Sequence, residues 1–134
     1  MPADFAISSY GRLSLAPGSS NPDALHTLMG DNAPASLRED MSPDKHITAR
    51  TPPFFLFSTN ADQTVSSLNS ALFYAELKRK GVDAELHIFE QGPHGVALGE
   101  KYQELAGWPM LLANWMRLHN WIPAPNQTQN PSSK

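Results

Sequence analysis

Two loops of this sequence carry side chains suited to proton transfer. Asp62 lies in Ser58-Thr59-Asn60-Ala61-Asp62-Gln63-Thr64-Val65, directly after the apolar run Phe54, Phe55, Leu56 and Phe57. His94 lies in Gln91-Gly92-Pro93-His94-Gly95, directly after Ile88 and Phe89. A carboxylate that fixes one tautomer of an imidazole, and stabilises the ring once it is protonated, makes two thirds of a nucleophilic triad. Each residue also has a plainer reading. Asp62 can cap the helix that begins a few residues later, and His94 between Pro93 and Gly95 can be a surface turn residue. The pair is more specific than either member, and it requires the two loops to meet.

The intervening elements make that meeting plausible on physical grounds. Phe54 through Phe57 show no polar alternation, as expected of a strand covered on both faces by helices. Val65, Leu68, Leu72 and Ala75 recur at helical spacing, with Ala71 beside them, and Gly81 follows as the C′ residue. Ala84, Leu86 and Ile88 then alternate with Glu85, His87 and Phe89, predicting a second strand. Strand, helix and strand in this order make a βαβ unit with parallel strands and a right-handed crossover. Both strands therefore end at one edge of the sheet, where open parallel sheets gather ligands and catalytic groups. Neighbouring strands lie about 4.8 Å apart, which lets the two loops bring Asp62 and His94 into hydrogen-bonding contact.

The flanking sequence completes one domain. Residues 3–15, with Phe5 to Ile7, Tyr10, Leu13 and Leu15, read as a strand leading into a loop. Residues 16–52 hold much of the Pro, Gly, Asp, Asn and Ser, with a short helix predicted near 35–39 and a turn at Pro43. A last helix opens near Pro109 and presents Trp108, Leu111, Leu112, Trp115 and either Leu118 or His119 on one face. The ordered domain is expected over residues 1–122, and residues 123–134, rich in Pro, Asn, Gln and Ser, are expected to be a disordered tail.

Composition excludes several function classes. The net charge is −3, and Lys78, Arg79 and Lys80 form the only basic run, so neither nucleic acid nor an anionic membrane is an expected partner. Cysteine is absent, which removes disulfide frameworks and thiolate metal sites. His26, His46, His87 and His119 show no metal-ligand spacing, and no metal or cofactor is expected. The apolar runs are far shorter than the roughly 20 residues that span a bilayer, and the first ten residues lack a signal-peptide core. A soluble chain is expected, cytoplasmic by default and secreted if the native N-terminus lies further upstream.

From about Phe5 to Ile122 the chain resembles the C-terminal region of α/β-hydrolases of the acetylxylan-esterase and feruloyl-esterase-like branch, related to dienelactone hydrolases and prolyl-oligopeptidase catalytic domains. The stretches that carry the resemblance are Leu28-Met29-Gly30-Asp31-Asn32, Thr51-Pro52-Pro53-Phe54-Phe55-Leu56, Asp62-Gln63-Thr64-Val65, Asn69-Ser70-Ala71-Leu72-Phe73-Tyr74 and Ala84-Glu85-Leu86-His87-Ile88-Phe89-Glu90 running on to Gly92-Pro93-His94-Gly95. Trp108 through Trp115 resembles the last helix of that family. The resemblance implies an α/β class chain with a partial α/β-hydrolase fold: a mostly parallel sheet of about three strands with flanking helices, the N-terminal half of the fold missing. It also implies that Asp62 and His94 are the acid and base of a Ser-His-Asp triad acting on acetyl or other short acyl esters, with carbohydrate esters among them.

The chain departs from the family at three points. Ser66 stands where proline often follows the Asp-x-x-Val valine, and Pro93 stands where glycine often precedes the histidine. The larger departure is that no Gly-x-Ser-x-Gly elbow and no His-Gly-Gly loop occur, and Ser8, Ser9, Ser14, Ser19 and Ser20 lack the glycine-flanked setting. In this fold the serine precedes the acid and the base, so the nucleophile is expected upstream of Met1 and the isolated chain is expected to be inactive. Two alternatives stand beside the esterase: a prolyl-oligopeptidase-like peptidase fragment, and an inactive truncated hydrolase that only binds. The expected partners are a small ester substrate, the N-terminal half of the fold, or a second copy of the chain.

Overall fold

The computed structural model describes residues 3–19 and 22–125. The stretch read as a disordered tail lies mostly outside the described residues. Three strands form one parallel sheet in the order β1 (Ala6–Ser9), β2 (Phe54–Thr59), β3 (Ala84–Phe89). Ile7 pairs with Phe55, and Phe55 in turn with Glu85, so the carboxyl ends of all three strands lie along one rim. Between β1 and β2 come α1 (Pro22–Met29), α2 (Ala35–Met41) and a 3-10 helix (Pro43–His46). α3 (Leu68–Arg79) joins β2 to β3, and α4 (Trp108–Leu118) follows β3.

The central strand explains the sandwich. Phe55, Leu56 and Phe57 are all fully buried, each side chain worth about 1.5–3 kcal/mol of burial. Their alternation sends Phe55 and Phe57 to one face and Leu56 to the other. On the first face they meet Val96, Leu105 and, from α4, Trp108 and Trp115. Phe57 stacks flat on Trp108, ring centroids 4.8 Å apart. On the second face Leu56 meets Phe73 and Leu77 of α3, with Ile47 and Val82. Val82 also closes α3: its N–H reaches the Leu77 carbonyl at 3.0 Å while Gly81 adopts φ +74, the left-handed stop expected from the sequence.

β1 is the short strand expected within residues 3–15, and Tyr10 at φ +43 ends it and leads into the loop. The structure differs from the sequence reading in two places. α1 was not expected within the Pro- and Gly-rich stretch, and it has no buried residue to announce it. α3 starts at Leu68 and buries Asn69, Ser70, Phe73 and Leu77, one position round from the apolar stripe, while Leu68 stays exposed. The cause is Asn69. Its Oδ1 accepts the Leu13 and Ser14 amides at 3.1 and 3.0 Å, and its Nδ2 donates to the Ser19 and Ser66 carbonyls. A helix that places this amide inward must rotate its neighbours accordingly.

Among the described residues no helix is long and apolar enough to cross a membrane, and no group of three or more His, Cys, Asp or Glu is placed to hold a metal ion.

Candidate active site

The rim at the carboxyl ends of β2 and β3 brings the two sequence-predicted residues together. His94 Nδ1 and Asp62 Oδ2 lie 2.8 Å apart. The Asp62 side chain is fully covered, whereas that of His94 is 37% exposed. Asp62 Oδ1 accepts the backbone N–H groups of Thr64 at 2.7 Å and Val65 at 2.9 Å. Asp62 therefore closes a local turn rather than capping α3, which begins only at Leu68 and has no side-chain cap. This geometry gives the Asp-x-x-Val spacing a physical reason: the valine amide holds the carboxylate, and the buried valine side chain anchors the turn. At the departure Ser66, the hydroxyl accepts the Leu68 amide at 3.2 Å and leads the chain into α3.

Burial pushes the Asp62 carboxyl up, but the Val65 amide, the His94 ring and the Thr64 amide together outweigh it and hold the pKa below its ordinary value. Asp62 is accordingly ionised at neutral pH and can only accept hydrogen bonds. Nδ1 of His94 must then be the donor, which leaves Nε2 as the basic nitrogen of the neutral ring. Among the described residues Nε2 has no hydrogen-bond partner.

The loop bearing His94 is fixed at several points. The Thr59 hydroxyl, at the end of β2, donates to the Gly92 carbonyl at 2.6 Å, and the Asn60 amide donates to the Phe89 carbonyl at 2.8 Å. Gly92 has φ +130, and a Cβ there would meet Leu105 Cδ1 at 2.6 Å, so both its backbone and its neighbours require glycine. Beyond His94, the Trp108 indole N–H donates to the Ala97 carbonyl at 3.0 Å, tying the loop to α4. Tyr10 lies edge-on to the His94 ring at 5.0 Å.

Sequence reasoning did not single out Tyr10, Thr59 or Leu105. Tyr10 had a usable signal, since it follows the first strand and so ends at the same rim. Leu105 lies in a run of turns with no periodicity to mark it. His87, read as a strand-face residue, has Nε2 placed to donate to Glu85 Oε1 at 2.7 Å on the face of β3, and its ring packs on Phe55.

A solved acetyl ester-xyloside bifunctional hydrolase from Caldicellulosiruptor lactoaceticus is 32% identical, with a TM-score of 0.82, over 90% of this chain and 44% of that one. A thermophilic esterase from Thermogutta terrifontis is 25% identical, with a TM-score of 0.69, over 92% of this chain and 46% of that one. A carboxylesterase from Lactobacillus plantarum, at 21% identity and a TM-score of 0.71, shares the fold over 91% of this chain and 46% of that one. Endo-1,4-beta-xylanase B of Butyrivibrio fibrisolvens is 30% identical over 86 residues, 64% of this chain and 13% of that protein. The chain thus spans less than half the length of each of these relatives, and its three parallel strands with flanking helices form a partial α/β-hydrolase fold. Residues 19–114 match the prolyl oligopeptidase family, and the chain belongs to that family.

Proposed function

We propose that Asp62 and His94 are the acid and base of a serine esterase acting on acetyl or other short acyl esters, carbohydrate esters among them. The observation that carries this reading is the bond between His94 Nδ1 and Asp62 Oδ2, with Asp62 held from behind by two amides and Nε2 left open. A serine from outside these residues attacks the acyl carbon, and its proton passes to Nε2. The bond to the leaving alcohol breaks as His94 returns that proton to the alcohol oxygen. Water then repeats the sequence on the acyl-enzyme. Asp62 remains ionised throughout, orienting the ring and stabilising the imidazolium.

The related acetyl ester-xyloside hydrolase and thermophilic esterase support esters over peptides, and the xylanase relative supports a carbohydrate setting. The family description supports the second reading, a peptidase. The partner in either case is the serine-bearing half of the same fold. Among the described residues β1 has a strand neighbour on one side only, and Ile7 upon it is 42% exposed, which favours pairing along that edge. Alone, the chain is expected to self-associate and to lack triad-dependent turnover, since loss of the nucleophile costs about 10⁶ in rate.

A graft tests the proposal. Residues 3–122 replace the matching segment of the acetyl ester-xyloside hydrolase, whose own upstream half is retained. The graft is expected to hydrolyse 4-nitrophenyl acetate and to lose at least about 10⁴-fold on His94→Ala. A folded graft that cleaves only a prolyl 4-nitroanilide would establish the peptidase instead. One that cleaves neither would leave a non-catalytic binding protein.

A further inference from the structure

Asp62 fixes one nitrogen of His94, but a single hydrogen bond leaves the ring free to swing about it. The exposed imidazole needs a second restraint, and the only ring in contact with it among the described residues is Tyr10. The two centroids lie 5.0 Å apart with planes at 64°, an edge-to-face arrangement. Tyr10 reaches this position by an unusual backbone. It follows the last residue of β1 at φ +43, where a bulky side chain is rarely found, and its N–H donates to the Phe57 carbonyl at 2.6 Å. Strain of this kind persists where the surroundings over-determine it, and it tends to cluster at functional sites.

The surroundings form a closed chain of contacts. The Tyr10 ring also stands edge-on to Phe57 at 6.0 Å. Phe57 stacks on Trp108, and Trp108 donates to the Ala97 carbonyl three residues beyond His94. The same aromatic column therefore supports the ring through Tyr10 and the loop that carries it through Ala97. Among the described residues no hydrogen bond of the Tyr10 hydroxyl enters this arrangement.

We infer that Tyr10 is a positioning residue whose aromatic ring holds the His94 imidazole against Asp62. The consequence for turnover rests on the reading of His94 as the general base, but the placement itself is measurable in the chain without its serine. The probe is the His94 Nδ1–H proton, followed by NMR for its chemical shift and its exchange with water.

In wild type this proton is expected far downfield and protected. Tyr10→Phe should retain both properties, because the ring and not the hydroxyl makes the contact. Tyr10→Leu, which fills the volume without an aromatic edge, should speed its exchange by about two- to tenfold, the range set by one aromatic pair. The Thr64 and Val65 amide shifts should stay in place, reporting an intact Asp62 turn. Tyr10→Ala should act at least as strongly as the leucine variant. If it fails to fold, the phenylalanine and leucine variants still decide the matter.

Equal protection in wild type and Tyr10→Leu would overturn the role of Tyr10 and leave the esterase reading standing. Loss of protection in Tyr10→Phe would overturn it as well, by assigning the effect to the hydroxyl. A wild-type spectrum without a protected Nδ1–H would instead remove the Asp62–His94 pair on which both proposals stand.

Discussion

Two buried carboxylates in this chain are satisfied in different ways. Asp44, in the 3-10 helix, is 7% exposed and accepts from the hydroxyls of Ser14, at 3.3 Å, and Ser42. Its own N–H donates to the Leu13 carbonyl at 3.0 Å, and the Ser42 hydroxyl in turn accepts the Leu15 amide at 2.8 Å. Together with Asn69, this cluster pins the segment that leaves β1. Asp62 accepts instead from two amides of its own turn and from an imidazole whose far nitrogen has no hydrogen-bond partner among the described residues. The difference teaches that burial of an acid does not by itself mark chemistry. The Ser14 and Ser42 hydroxyls tie Asp44 to the segment leaving β1, with the exposed Lys45 Nζ 3.9 Å away, whereas a partly exposed histidine links Asp62 to a rim where a proton can be exchanged.

The comparison breaks most decisively at the level of rate. In the grafted enzyme, Asp62→Asn should lower kcat by about 10⁴, because the amide can present its N–H to Nδ1 and invert the tautomer. Asp44→Asn should leave kcat near that of the parent graft. Similar losses from both substitutions would erase the distinction between a catalytic and a structural acid.

Stability should show the reverse order. Asp44→Ala removes the carboxylate that the Ser14 and Ser42 hydroxyls donate to and should cost about 2–4 kcal/mol in urea unfolding. Asp62→Ala removes a turn-closing acceptor of the kind that costs about 0.5–2 kcal/mol. A larger loss at Asp62 than at Asp44 would mean that the rim also holds the fold together. Gly92→Ala should cost about 1–3 kcal/mol through its left-handed backbone and the approach to Leu105, and should loosen the His94 loop as well. Thermal denaturation of that variant against wild type measures the cost.

The smallest effect is the acid response. The folded pKa of Asp62 lies below its unfolded value of about 3.9. Its contribution is therefore fully present above that unfolded value and is lost as pH falls through the lower folded one. Asp62→Asn should flatten this part of the acid limb of a stability-against-pH curve. An unchanged limb would show that the bonds to Val65, His94 and Thr64 do not depress the carboxyl.

Much of the site was legible because strand-end loops follow from hydrophobic pattern. Four consecutive apolar residues at Phe54 to Phe57 marked the central strand, and the alternation from Ala84 marked its neighbour, so the positions of Asp62 and His94 followed from where the strands stop. The buried face of α3 was not legible, because Asn69 and Ser70 occupy it and a polar residue carries no sign of inward placement until its partners at Leu13, Ser14 and Ser19 are known. α1 was missed for the complementary reason: an amphipathic turn with nothing buried looks like the loop around it. Tyr10 could be placed at the rim because it follows the first strand, but its contact with His94 depends on the pairing of β1 with β2, a non-local fact.

The central claim is that Asp62 fixes the tautomer of His94 so that Nε2 is the free base. A tautomer-resolved ¹H–¹⁵N spectrum of the imidazole at neutral pH tests it directly, with Asp62→Asn as the control. The account predicts a proton on Nδ1, a bare Nε2, and loss of that pattern in the control. A neutral ring with its proton on Nε2, or a spectrum indifferent to Asp62→Asn, would contradict it.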